Sequence, residues 1–407
     1  MSNPEADGGD EAAVVAEGAP PTQEWWSWGA GTEGQLATGD LVDHHSPQPL
    51  PSKTIISHIA CGGAHAVALT DDGKVMSWGR GGCGQLGHGD RKNCLKPKFV
   101  EALEGITVCD VSAGWNHSGF VSDTGCLFTC GDGSFGQLGH GDYQSHCYPV
   151  QVQHVVSKHV TQIACGMRHS LVLVKGPSEH IVSAFGSGRR GQLGASLDGS
   201  RSSCHPVIVN ELENHSIAHI YANGDHSAAL SADGSLYTWG RGYSGVSDTC
   251  VPQMLDFPFK ISEVALGWDH ALLLTDTREL FMLGGIRHGM LSGPQQKPMG
   301  LQMPLAKCTS SDGSPSAPVL HKISFLCGMK VRLVSAGAEH SAVVMEDGTV
   351  MTWGWGEHGQ LGLGDTHDQT NPQVVNLRYR RRSSAHAHAN LKVYCGSGFC
   401  FVVRTLC

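Results

Sequence analysis

Six histidines recur in one phrase, and a recurring histidine could serve as a metal ligand or a general base. The phrase is Gly-x-x-His, ending at His65, His117, His169, His270 and His340; it appears shortened as Asn223-Gly224-Asp225-His226. The histidines stand 52, 52, 57, 44 and 70 residues apart. Ligands of one ion must converge on one point. Residues that hold one slot in successive repeats spread apart instead. The spacing therefore predicts buried, hydrogen-bonded imidazoles and no metal. Of the other histidines among the 24 in the chain, His386 and His388 alternate in a polar stretch and make a weak ligand pair.

Gly-x-Gly-x-x-Gly begins at Gly29, Gly79, Gly131, Gly186, Gly240 and Gly354. A dinucleotide site needs one such turn leading into a helix. No helix-period segment follows any of these copies, so the glycines are assigned to sharp turns and no cofactor is expected. No Gly-x-Ser-x-Gly elbow marks a serine nucleophile. The 15 cysteines include no Cys-x-x-Cys. Cys61, Cys165 and Cys395 share a slot that holds Ala113 and Ala336 elsewhere. A thiol that exchanges with alanine reads as a small buried filler, free in a reducing compartment, cytoplasmic or nuclear.

The elements that position these residues repeat with them. After the histidine comes an apolar stretch such as Val67-Ala68-Leu69, then an Asp-Gly pair at Asp72-Gly73, Asp233-Gly234 and Asp347-Gly348. Asp-Gly suits a tight hairpin. The next strand ends in Ser/Thr-Trp-Gly at Trp28, Trp78, Trp239 and Trp353. A Gly-Gln-Leu-Gly turn follows at Gly84, Gly136, Gly191 and Gly359, and a proline opens the last strand at Pro97, Pro149, Pro206 and Pro372. That makes about four strands per unit of roughly 50 residues, the size of a propeller blade. The abundance of glycine, 54 of 407 residues, agrees with many turns. The Trp-Gly half stands alone at Trp28, and the His half stands alone at Val393–Phe399. Seven halves of each kind predict an all-β, seven-bladed β-propeller whose chain ends pair in one blade.

The propeller is expected over residues 24–407. Residues 1–23, rich in Ala, Gly, Glu and Asp, read as a disordered acidic tail without the apolar core of a signal peptide. Residues 286–328 read as a loop insertion, and Arg380-Arg381-Arg382-Ser383 as an exposed basic loop with Ser383 a candidate phosphorylation site. No apolar run is long enough to span a bilayer. With a net charge of −9, nothing favours nucleic acid as a direct partner.

The repeated Ser-Trp-Gly-x-Gly-x-x-Gly-Gln-Leu-Gly-x-Gly-Asp and Cys-Gly-x-x-His resemble the regulator of chromosome condensation family over about residues 24–405. The resemblance implies a regulatory protein-binding propeller and nucleotide exchange on a small GTPase as its activity. A non-catalytic adaptor is the alternative. Two other readings fit less well. A light-sensing relative holds its chromophore tryptophans in Gly-Trp-Arg-His phrases on successive blades. Here only Trp115 and Trp268 follow the glycine, with Asn116 and Asp269 in place of arginine, and the two are expected to lie apart. Chromatin docking in the family uses a basic tail, and this tail is acidic. The partner is expected where the repeat departs from itself, at 286–328 and at Arg241 and Tyr243, residue types common among interface anchors.

Overall fold

A strand that is apolar on both faces has no solvent side, and the stretch after each repeat histidine is of that kind. His65–Thr70, His117–Ser122, His226–Ser231, His270–Thr275 and His340–Met345 are buried at every position. Each needs a strand on either edge and a further sheet against either face, which blades stacked around an axis supply. The computed structural model shows that arrangement and describes residues 22–51, 54–176, 179–197, 199–243, 246–285, 303–304, 319–377 and 390–406. Seven antiparallel sheets form the ring. A regular blade runs outward from the axis as Ile56–Cys61, His65–Thr70, Val75–Gly79 and Cys94–Phe99. One sheet gains a fifth strand, where Met303–Pro304 pairs with Val319–Lys322 inside the segment read as a loop insertion. Among the described residues no helix is long and apolar enough to cross a membrane.

The ring closes as the orphan half-repeats require. Asn390–Cys395 and Phe399–Leu406 supply the two inner strands of the closing blade; Thr22–Gly29 and His44–Leu50 supply the two outer ones. Thr22–Gly29 pairs without interruption from Thr22↔Leu406 to Gly29↔Phe399. The first strand thus begins at Thr22, two residues before the boundary read from the repeat. The rest of the acidic tail, Arg380–Arg382 and Ser383, His386 and His388, and most of 286–318 lie outside the described residues.

The core sits between blades. Trp26, Trp28, Val393 and Val402 of the closing blade pack with Ala342 and Val344 of the blade before it. Glycine is forced at the end of each third strand. Gly79 has φ of 95°, and a Cβ there would stand 2.5 Å from the Ala64 carbonyl oxygen.

The inner strands of different blades do not form a common sheet, so side chains bridge them. Six inner strands carry a register shift at one position, between Ile56/His58, Val108/Asp110, Val160/Gln162, Ile217/His219, Ile261/Glu263 and Val331/Leu333. A bulge of this kind re-aims a side chain. Asp110 Oδ2 accepts the Ile163 N–H at 2.8 Å, Gln162 pairs with both backbone groups of Ile220 at 3.0 and 2.9 Å, and Lys392 Nζ donates to the Ser57 carbonyl at 2.9 Å. The seven strands wall an axial channel of about 500 Å³.

Candidate functional site

The repeat histidines and three of the repeat tryptophans have partners in another blade, and together they make a relay. Nε2 of His65, His117, His169 and His270 lies 2.9, 2.9, 2.9 and 3.0 Å from the hydroxyl of Ser118, Ser170, Ser227 and Ser341 in the next blade. Ser118, Ser170 and Ser227 in turn donate to the main-chain carbonyls of Gln85, Gln137 and Gln192, from the Gly-Gln-Leu-Gly turns. Their hydroxyl hydrogens are thereby committed, so the imidazole must donate from Nε2. Glutamine carbonyls at this turn position also receive indole N–H groups: Trp28 to Gln360 at 2.9 Å, Trp78 to Gln35 at 2.9 Å, and Trp239 to Gln192, which Ser227 also reaches, at 3.0 Å. Trp353 Nε1 finds no acceptor among the described residues. The blade before it lacks that turn.

All six repeat histidines are fully buried. Desolvation lowers His65, His169 and His270 to about 3 and His117 and His226 to about 4, so these five are neutral at physiological pH. The glycine of each phrase makes room for the ring: a Cβ on Gly62 would stand 2.6 Å from His65 Cε1 and 2.3 Å from the Gly114 carbonyl oxygen. His226 departs from the pattern. Ala271 fills the serine slot, and its Nε2 bonds the Trp268 carbonyl at 2.8 Å instead. His117→Ala is expected to cost about 1–3 kcal/mol in a urea titration, because Ser170 is left buried with an unmatched acceptor. Equal stability of the variant would remove the relay from the account of the fold.

The relay fixes the residues on either side of it, which form a rim on one face of the ring. The amide after each Trp-Gly-like pair bonds the carbonyl just before a repeat histidine: Arg80 to Ala64, Asp132 to Asn116, Arg241 to Asp225, Trp355 to Glu339. Charged and aromatic side chains gather on four successive blades of this rim. Arg168 and Arg189 lie over the Phe135 ring at 4.9 and 5.8 Å. Arg190 pairs with Asp248 at 3.0 Å, and Arg241 with Asp269 at 3.6 Å.

Two expectations are corrected here. Tyr243 is no exposed anchor. It is buried with its ring stacked on His226 at 4.4 Å, and burial pushes its hydroxyl above the usual phenol range. The Tyr243 ring fills the space beside a histidine that has lost its serine. Arg241 is half-buried, its guanidinium 3.4 Å from the Trp268 carbonyl. Trp115 and Trp268 do not lie apart: their rings meet at 5.1 Å. The turns before the repeat histidines point toward the axis, so blades distant along the ring touch there. Trp115 and Trp268 help line a small axial space of about 60 Å³.

The cysteine slot is partly core and partly channel. Cys165 is buried, while Cys61 and Cys395 are half-buried, and all three line the axial space. The described cysteines are free thiols. Sequence reasoning missed the channel carboxylates. Burial raises Asp110 to about 6 and Glu263 to about 7. Their signal was a polar residue at the same repeat position as His58 and Gln162.

A seven-bladed propeller stitched through a buried His–Ser–Gln relay, with a charged and aromatic rim, defines a rigid binding protein. The RCC1-like domain profile matches residues 24–402, and the chain belongs to that family. It is 30% identical to the mouse secretion-regulating guanine nucleotide exchange factor, over 94% of this chain and 83% of that one. It is 31% identical to the ultraviolet-B receptor of Arabidopsis thaliana, over 80% and 70% of the two chains. Yeast Prp20p, a solved structure whose binding to Gsp1p and histones has been described, superposes with a TM-score of 0.77. That match covers 95% of this chain and 92% of that one at 24% identity, and it bears on the fold alone.

Proposed function

We propose that this propeller regulates a small GTPase by binding it and promoting nucleotide exchange. The rim from Phe135 to Asp269 is its docking surface. The observation that carries the reading is the clustering of Arg168, Arg189, Arg190 and Arg241 with Phe135 on three successive blades, above the buried relay. Arginine and aromatic side chains held rigid lose little entropy on docking. Likeness to an exchange factor along 94% of the chain supports the choice of partner class. Exchange makes no covalent bond. A scaffold that binds the nucleotide-free GTPase best weakens GDP by the same factor, through linkage. A reducing compartment, cytosol or nucleus, belongs to this reading.

The test is release of a fluorescent guanine nucleotide from a panel of small GTPases, with the wild type and with Arg168→Ala/Arg190→Ala. The double variant is expected to lose at least tenfold in exchange and in partner capture while melting like the wild type. Capture without nucleotide release makes the protein an adaptor. A folded double variant as active as the wild type moves the docking surface elsewhere.

A further inference from the structure

The closing blade breaks the relay in a way no other blade does. Phe399 stands in its histidine slot and Cys400 in its serine slot, where Ser118, Ser170, Ser227 and Ser341 stand elsewhere. The strand pairing then sets Cys400 directly opposite Cys395, which holds the Cys/Ala slot. Two cysteines therefore arise at one cross-strand pair, each explicable alone as a filler. The equivalent pairs are Ala113↔Ser118, Cys165↔Ser170, Ala222↔Ser227 and Ala336↔Ser341, none with two sulfurs. Because the relay histidine comes from the blade before, His340 is also there. Its Nε2 lies 3.1 Å from Cys400 Sγ, and Cys400 Sγ lies 3.4 Å from Cys395 Sγ. The three donor atoms lie within 4.8 Å of one another, the one place among the described residues where three ligating groups converge.

We propose that His340, Cys395 and Cys400 form a binding site for a soft d10 ion, Zn(II) or Cu(I). The donor set is the argument. Two thiolates and an imidazole are soft and borderline ligands, which select these ions over the hard cations that prefer oxygen. Zinc–sulfur and zinc–nitrogen bonds of about 2.3 and 2.0 Å place tetrahedral donors roughly 3.8 Å apart for S···S and 3.5 Å apart for N···S. The donors here need to open by a few tenths of an ångström, within reach of small side-chain rotations. Cys395 also lines the axial space beside Cys61 and the channel beyond it, which gives an ion a path in and leaves a coordination position for water or a further thiol. This departs from the expectation of no metal, which took the histidine slot and the cysteine slot separately and so saw ligands that spread around the ring. Convergence here comes from the strand opposite, a relation the period of the repeat does not express. Binding would displace protons from both thiols and tie the last hairpin to the blade before it, where the ring closes.

The experiment is a competition titration of the full-length, reduced chain against a chromophoric chelator, with Zn(II) alone and with Cu(I) alone in separate arms. Cys400→Ser is the decisive variant: serine does the same hydrogen-bonding work in four other blades, so the fold is expected to persist, as a thermal melt verifies. The wild type is expected to hold one more equivalent of one of the two ions than Cys400→Ser, with at least a tenfold loss of affinity at that equivalent in the variant. The arm that shows the difference identifies the ion. A stoichiometric ion should also raise the melting temperature of the wild type and not of the variant. Identical titrations of wild type and Cys400→Ser in both arms would overturn the site. So would a difference abolished by Cys61→Ala but not by Cys395→Ala, since the ion would then rest on other thiols.

Discussion

A chain that begins at Gly31 will not fold cooperatively, whereas one that begins at Thr22 is expected to melt with the full-length protein. The strand Thr22–Gly29 stands between His44–Leu50 and Phe399–Leu406 in the closing blade and pairs with both. Without it the last hairpin exposes an unpaired edge eight residues long, and the ring opens. Trp25, Trp26 and Trp28, all buried to 3% exposure or less, go with it. Losing a buried tryptophan costs about 3–5 kcal/mol. Three of them approach or exceed the roughly 5–15 kcal/mol that holds a domain together. Circular dichroism and size exclusion report the outcome, and supplying the missing strand as a peptide of residues 22–31 should restore part of the native signal. Trp28→Ala alone should cost about 3–5 kcal/mol, since it also takes the indole N–H from the Gln360 carbonyl. A truncated chain with the wild-type melt would show that the other six blades carry the fold without closure.

Acid will unfold this protein well before its surface carboxylates protonate. His58, His65, His117, His169, His226 and His270 are held at about 3–4 in the folded chain, against 6.5 when exposed. Above pH 6.5 these rings are neutral in both states and add no pH dependence. Below it the unfolded chain takes up protons that the folded chain cannot, so stability falls with pH from about 6.5 toward 4. Each imidazole contributes a slope of about 1 kcal/mol per pH unit in the middle of that window. Asp110 and Glu263 act in the opposite sense. Their raised values, about 6 and about 7, mean the folded state holds protons more firmly, so acidification relieves the cost of two buried carboxylates. Two such groups cannot offset six. The expected melting temperature rises slightly from pH 8 to 7 as folded Glu263 takes up its proton, then falls steeply between pH 6 and 4.5. Glu263→Gln should raise stability at pH 8 and steepen the acid limb. A melting temperature unchanged down to pH 4.5 would mean that the imidazoles are already charged in the native state.

The sequence by itself determined the number of blades, the pairing of the chain ends and the roles of the repeated Gly and His. These are local matters that the chain states many times over. A turn that forbids a Cβ at Gly79 demands the same of Gly29 and Gly131, and orphan half-repeats have one way to pair. Tertiary structure decided which side chains meet across blades. Trp115 and Trp268 touch because inner turns of distant blades converge on the axis. Tyr243 is buried because Ala271, in the next blade, leaves His226 without its serine. Arg241 finds Asp269 one blade on. His340, Cys395 and Cys400 converge because a histidine reaches forward into a hairpin whose two strands align both sulfurs. Contacts of this kind join residues some 30 to 150 positions apart, and they depend on the stagger between neighbouring sheets and the closing of the ring. A repeat period states which residues are equivalent; the geometry of the ring selects which of them are neighbours.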